Sequence, residues 1–256
     1  MNTLTSRRNP ICVHLKKLGV DSNYRKISEE FLCDGIRLLE EAVKYNAEIP
    51  IILTSIDNFM SLDFINIGSS EVYYVDSELL NSLSPLKQSQ KVLFTCKTQK
   101  TESLSDFSGV HVLLDNIQDP GNVGTIIRTA NAFGIKTVML FGNCVDPYNL
   151  KTVRGTMGSI FSQRIHSVSL QDLTVYKNNG MRFFGAAISN DCRDFSEMSY
   201  KNSVIAIGNE GSGLSPEVLL LCDEKIKIPM KESTQSLNAA IAAGIIMQKA
   251  GQHVET

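Results

Sequence analysis

VIAIGNEGSGLSPEVLLLCDEKIKIPMKESTQSLNAAIAAG, residues 204–244, decides the fold. Two runs in it, VIAIG and KIKIP, read as buried strands, and each leads through a polar loop into a helix. Ser215-Pro216-Glu217 opens the first helix with a hydroxyl at the cap, a proline where a missing N–H costs nothing, and an acid at the positive helix end. Ser236 caps the second helix, LNAAIAAGIIMQKA, with Leu237, Ala240, Ile241, Gly244 and Ile245 on one stripe. Parallel strands of α/β sheets bind ligands beyond their carboxyl ends, which puts Asn209-Glu210-Gly211-Ser212-Gly213 and the 231–236 loop where a ligand belongs. Pro216 replaces the third glycine of a dinucleotide fingerprint, and no GxxxxGK[ST] occurs, so neither common nucleotide loop is present. On its own residues NEGSG also reads as an ordinary strand-to-helix turn.

The same rhythm extends upstream. Strands are expected at 110–117, 136–142 and 181–189, which with 204–208 and 225–229 makes five strands alternating with helices, in a mostly parallel sheet covered on both faces. The helix NVGTIIRTANAFG ends at Gly134, which suits a C′ glycine. Residues 145–165 read as a loop followed by a helix, and 169–180 as a short helix. Before residue 97 lies a smaller α/β unit, with a helix over 27–47, strands at 49–55, 71–75 and 91–96, and a short helix, SELLNSL, before the last strand. The polar, aperiodic stretch 98–109 reads as a linker.

The 256 residues allow one large domain or two smaller ones, and a formal charge of -2 confines any nucleic-acid site to a local patch. Arg7, Arg8, Lys16, Lys17, Arg25 and Lys26 supply such a patch, although a solvated terminus would look the same. The cysteines are scattered without a CxxC pair, which suits reduced thiols in a cytosolic protein. The histidines have no metal-ligand spacing, and His111 alternates into a strand as a packing residue. The N-terminus has no apolar h-region, and no stretch is long enough to span a membrane, so neither export nor membrane insertion is expected.

The helix after Asp119-Pro120-Gly121 has an unusual polar side. Val123, Ile126, Ile127, Ala130 and Phe133 form its apolar face, while Asn122, Thr125, Arg128 and Thr129 lie away from it. Amides, hydroxyls and one guanidinium suit directed hydrogen bonding better than general solvation, though a surface or interface helix is the plain alternative. Three loops therefore gather at one sheet edge, carrying Asn122/Arg128, Asn209/Glu210 and Ser236/Asn238. No nucleophile–base set or carboxylate pair accompanies them, which disfavours acyl transfer and glycoside hydrolysis.

LLDNIQDPGNVGTIIRTANAFG, VIAIGNEGSGLSPEV and IKIPMKESTQSLNAAIAAG resemble, in order and spacing, the three motifs of the SpoU (TrmH-like) RNA ribose 2′-O-methyltransferases of the SPOUT superfamily. The opening SRRNPICVHLKKL and the following FLCDGIRLLEEA resemble the ribosomal-protein-like RNA-binding domain that many members carry. The resemblance implies three regions: an RNA substrate-binding domain at 1–97, a linker at 98–109, and a trefoil-knotted catalytic domain at 110–256. It further implies a cytoplasmic homodimer without a metal and a bent S-adenosylmethionine held by Gly208, Asn209, Ile228, Met230 and Leu237. Arg128 matches the family's essential arginine, and Asn122, Glu210, Ser236 and Asn238 match its other polar motif residues. Arg154 matches a further motif arginine able to touch phosphate, with Arg7 and Arg8 as RNA contacts in the first domain. The reaction implied is methyl transfer to a ribose 2′-hydroxyl of 23S-type ribosomal RNA, on a guanosine or uridine. The alternatives are a transfer RNA substrate and a non-catalytic RNA-binding or ribosome-assembly factor.

Overall fold

The computed structural model describes residues 2–55, 66–85, 91–99, 106–189, 191–231, 233 and 236–251. Contacts divide the chain into two units, one made of residues 1–100 with 146–162 and the other of 101–145 with 163–256. The 146–162 segment thus packs with the first hundred residues, whereas the sequence reading kept it with the residues after 110. Residues 100–105 of the expected linker lie outside the described residues.

The first unit contains β1 (Asn2–Thr3), α1 (Pro10–Val20), α2 (Ser22–Ser28), β2 (Glu30–Asp34), α3 (Ile36–Lys44), β3 (Ile51–Ser55), β4 (Glu71–Val75), α4 (Ser77–Leu83) and β5 (Val92–Lys97). Its strands form a mixed sheet in the order β1-β4-β3-β5-β2. The single helix expected over 27–47 is instead the end of α2, a strand and α3. Glu29 turns left-handed at φ 53 and Gly35 sits at φ 122, so the chain leaves the helical path on both sides of Glu30–Asp34. That strand then pairs antiparallel with β5, burying Phe31, Leu32 and Cys33. The 146–162 segment carries α6 (Leu150–Gly155), where a second helix had been expected to run on. Left-handed Met157 and Gly158 end it, as a Cβ on Gly158 would lie 2.7 Å from Glu41. Leu150 enters the first unit's core, and the rings of Tyr148 and Phe161 pack on Phe31. Arg25, 3 % exposed, holds Asp146 through a 2.7 Å contact and donates to the Leu18 carbonyl.

The second unit contains β6 (Val110–Asp115), α5 (Pro120–Ala132), β7 (Thr137–Phe141), β8 (Arg164–Ser167), α7 (Leu170–Asn178), β9 (Arg182–Ala186), β10 (Arg193–Asp194), β11 (Ser203–Gly208), α8 (Pro216–Leu221), β12 (Glu224–Lys227) and α9 (Ala239–Gly251). The five expected strands are all present. The short strands β8 and β10 extend the sheet to seven, all parallel, in the order β10-β12-β9-β11-β6-β7-β8. Ile205 and Ile207 pack with α5 and α9 on one face, and Val204 and Ala206 pack with α7 and Val218 on the other. This two-faced burial is why VIAIG is apolar without alternation. His111 is buried in β6 with its Nε2 3.1 Å from the Ser108 carbonyl, and burial pulls its pKa down to about 4. On α9 the buried face is Ala239, Ala240, Ala243, Ile246 and Met247, whereas Ile241 and Ile245 of the expected stripe face outward at 55 % and 37 % exposure. The helix is apolar nearly all round, so its period alone does not choose the inner face.

Candidate active site

Sheet order creates the site. From β6 the sheet grows to β7 and β8 on one side, and from β11 to β9 and β12 on the other, so the loops after β6 and β11 diverge at the point of reversal. After β6, the Asp119 side chain accepts from the Asn122 N–H at 2.8 Å, and Pro120 takes the first helical position. Asp119 is therefore the cap, and Asn122 stands within the first turn of α5 instead of beginning the helix. After β11, Asn209 and Gly213 exchange backbone hydrogen bonds at 3.1 and 2.9 Å, and the Asn209 side chain accepts from the Gly211 and Ser212 N–H groups. The loop closes tightly on Gly208, where a Cβ would come within 2.3 Å of the Gly213 carbonyl carbon.

The third loop ends at α9. Asn238, not Ser236, is its cap: Asn238 Oδ1 accepts from Ala240 N–H at 3.0 Å and Ile241 N–H at 3.3 Å. This fixes the amide so that Nδ2 donates to Asn122 Oδ1 at 3.0 Å. The Asn122 Nδ2 in turn donates to Glu210 Oε1. A chain of two amides thus runs from a helix N-terminus to a carboxylate and joins three distant segments. Ser215 does hold the cap position of α8, but its hydroxyl makes no capping bond and its Oγ has no partner among the described residues.

Beside Glu210 opens a cavity of about 410 Å³, within the range of small-molecule sites. Gly208, Asn209, Ile228, Met230 and Leu237, the expected cofactor positions, all line it, as do Glu210 and Ser236. Ala186, Ala187 and Ile188 line it too; the sequence places them at the end of the strand expected at 181–189 and gives them no part in the site. Ile207, Ile226, Ile228 and Leu237 offer apolar surface for a flat heterocycle, and the loops bring backbone polar groups and one carboxylate. That donor set fits an uncharged purine joined to a cationic sulfonium.

Arg128 is not among the lining residues. It lies exposed on α5, six positions after Asn122 and about 9 Å further along the helix axis, and no hydrogen bond or ion pair holds its guanidinium among the described residues. Arg7, Arg8 and Arg154 all lie exposed in the first unit, and Arg7 makes a 3.2 Å surface pair with Glu78. Among the described residues no His, Cys, Asp or Glu cluster could hold a metal ion.

Residues 109–248 match the SpoU rRNA methylase family, and residues 9–93 match an MRM3-like substrate-binding domain. The chain is 29 % identical to the 23S rRNA (guanosine(2553)-2′-O)-methyltransferase of Bacillus subtilis, across 96 % of this chain and 98 % of that one. It is 34 % identical to the tRNA (guanosine(18)-2′-O)-methyltransferase of Aquifex aeolicus, across 56 % of this chain and 69 % of that one. The AdoMet-bound rRNA methyltransferase from Sinorhizobium meliloti superposes with a TM-score of 0.87 at 27 % identity, covering 100 % of this chain and 99 % of that one. With more than half its length matched by one family, the chain belongs to the SpoU rRNA methylase family.

Proposed function

We propose that this protein transfers a methyl group from S-adenosylmethionine to a ribose 2′-hydroxyl of 23S-type ribosomal RNA. The observation that carries the reading is the Asn238–Asn122–Glu210 chain beside the 410 Å³ cavity. When bound, S-adenosylmethionine supplies an electrophilic methyl group on a sulfonium. Gly208, Asn209, Ile228, Met230 and Leu237 would hold it, and Ser236 lines the same cavity. Asn122 restrains one oxygen of Glu210, leaving the other to accept the 2′-hydroxyl proton. The guanidinium of Arg128, a planar cation on the exposed side of α5 outside the cavity wall, stabilises the developing 2′-oxyanion and grips the adjacent phosphate once RNA is bound. A 2′-hydroxyl acceptor makes the substrate RNA.

Residues 1–97, with the 146–162 segment packed among them, serve as the RNA substrate-binding domain, 98–109 as the linker and the rest of 110–256 as the catalytic domain. Arg7, Arg8 and Arg154 contact phosphate, and the exposed Arg7–Glu78 pair is weak enough to yield to RNA. Ribosomal RNA is favoured over transfer RNA because the full-length relative above is a 23S rRNA enzyme, whereas the transfer RNA relative matches 56 % of the chain. The apolar groove of Phe133, Phe195, Ile241, Gly244 and Ile245 suits a second copy, making the protein a homodimer. Free thiols at all six cysteines suit the cytoplasm.

The test is methyl transfer from labelled S-adenosylmethionine to total RNA, with Arg128→Lys and Glu210→Gln alongside the parent. Label in 23S RNA that falls at least tenfold in both variants supports the assignment. Binding of the donor without transfer to any RNA would support a non-catalytic factor. Parent-level transfer by Arg128→Lys would remove the planar guanidinium from the mechanism.

A further inference from the structure

At the carboxyl end of β6 the side chain of Asp115 is wholly buried, and both its oxygens are engaged. Oδ2 accepts from the Ser215 N–H at 2.6 Å, and Oδ1 accepts from Asn116 Nδ2 at 2.6 Å. Asn116, left-handed at φ 57, accepts at its carbonyl from Asn209 Nδ2 at 3.1 Å and at its Oδ1 from the Asn143 N–H at 2.8 Å. Ser215 and Asn209 are the two ends of the loop that carries Glu210 and lines the cavity. One buried carboxylate therefore ties down the far end of that loop directly, and the near end through its neighbour. Only a carboxylate meets both N–H groups as an acceptor; an amide must turn a donor toward one of them. Burying this charge is costly unless its hydrogen bonds hold, so the contacts are coupled to the loop's closed form.

We propose that Asp115 is a positioning residue for methyl transfer: it clamps the 209–215 loop so that the donor cavity keeps its shape and Glu210 reaches Asn122. This rests on the donor-binding reading above. The discriminating variant is Asp115→Asn combined with Asn116→Asp. In the single Asp115→Asn variant one clamp meets a donor with a donor. In the double variant the pair is reversed: Asn at 115 donates to Asp at 116 and accepts from Ser215, while Asp at 116 accepts from Asn143. Asp tolerates the left-handed conformation as Asn does.

Two measurements decide it: titration with S-adenosylmethionine, and hydrogen exchange of the 209–215 amides without ligand. The single variant should bind about tenfold more weakly and exchange faster, and the double should recover both. Parent values in a folded single variant overturn the clamp, as does a double variant no better than the single. Should the single variant fail to fold, a folded double that binds supports the proposal and one that does not refutes it. If neither folds, Asn116→Gly, which keeps the positive φ but removes the amide, must show a smaller rise in the same direction; parent affinity there refutes the clamp. A parent that binds no donor refutes the functional reading instead, and loop exchange still tests the clamp by itself.

Discussion

Asn122→Asp places a second carboxylate against Glu210. The wild-type amide donates to Glu210 Oε1 and accepts from Asn238, so the substitution removes the first bond and keeps the second. Two unit charges about 3 Å apart repel by about 1.4 kcal/mol in a water-like dielectric, and by about four times that at an effective dielectric of 20. Glu210 is exposed, which favours the lower figure and brings the lost hydrogen bond down to about 1 kcal/mol, below the usual range for a charged partner. The sum, about 2 to 3 kcal/mol, would reach the transition state if Glu210 must be held to accept a proton there. It corresponds to a fall in the chemical rate of about 30- to 150-fold. The assay is single-turnover transfer to a ribosomal RNA fragment at saturating donor, with donor affinity measured by calorimetry. The rate should fall while donor affinity stays within about threefold, because Asn122 itself is not among the residues that line the cavity. A variant that turned over at the parent rate would refute the idea that Asn122 orders the carboxylate.

Gly208→Ala should abolish donor binding, because the new methyl would lie 2.3 Å from the Gly213 carbonyl carbon and 2.4 Å from the Leu214 nitrogen, so the loop must open; calorimetric titration with undiminished affinity would contradict this. Neutralising Arg7 and Arg8 to Gln should reduce the slope of log affinity for RNA against log salt by about 1 to 2, and filter binding over a salt series reads it directly. His111 is neutral in the fold because burial holds it at about 4, below its ordinary 6.5, so the unfolded chain takes up its proton first as the medium is acidified. Its contribution is complete above about pH 6.5 and lost toward pH 4, up to about 3 kcal/mol in total. Denaturant unfolding of His111→Phe should accordingly change less between pH 6.5 and 4.5 than that of the parent. Glu30 titrates below this window: burial pushes its pKa up, but His14 and Lys97 outweigh that and hold it at about 2.

Much of the second unit was legible because its strands are buried on both faces and leave long apolar runs between polar loops. The five expected strands and the placing of Asn209, Glu210 and Ser236 in loops beyond the sheet's carboxyl edge follow from that pattern, whereas Gly208, Ile228, Met230 and Leu237 come from the resemblance to the family's motifs. What could not be read is which loop meets which. The contact of Asn122 with Glu210 depends on β11 lying next to β6, although β7, β8, β9 and β10 come between them in sequence. The Asn238 cap was missed because Ser236 is an equally good capping residue two positions earlier, and only the true helix start separates them. The strand at Glu30–Asp34 was hidden because Phe31 and Leu32 fall in step with Ile36 and Leu39 of the helix beyond Gly35. Ala186–Ile188 carry no chemistry of their own, and the order of strands alone gives them a wall of the cavity.

The chain enters the first unit a second time at Asp146 and leaves it at Ser162. An amino-terminal fragment cut at residue 100 would forfeit Leu150, strip two aromatic neighbours from Phe31, and strand the buried guanidinium of Arg25 without its anion. The unit is therefore not a bead that can be unthreaded and transplanted. A single cut near residue 100 would leave the first unit without part of its own core.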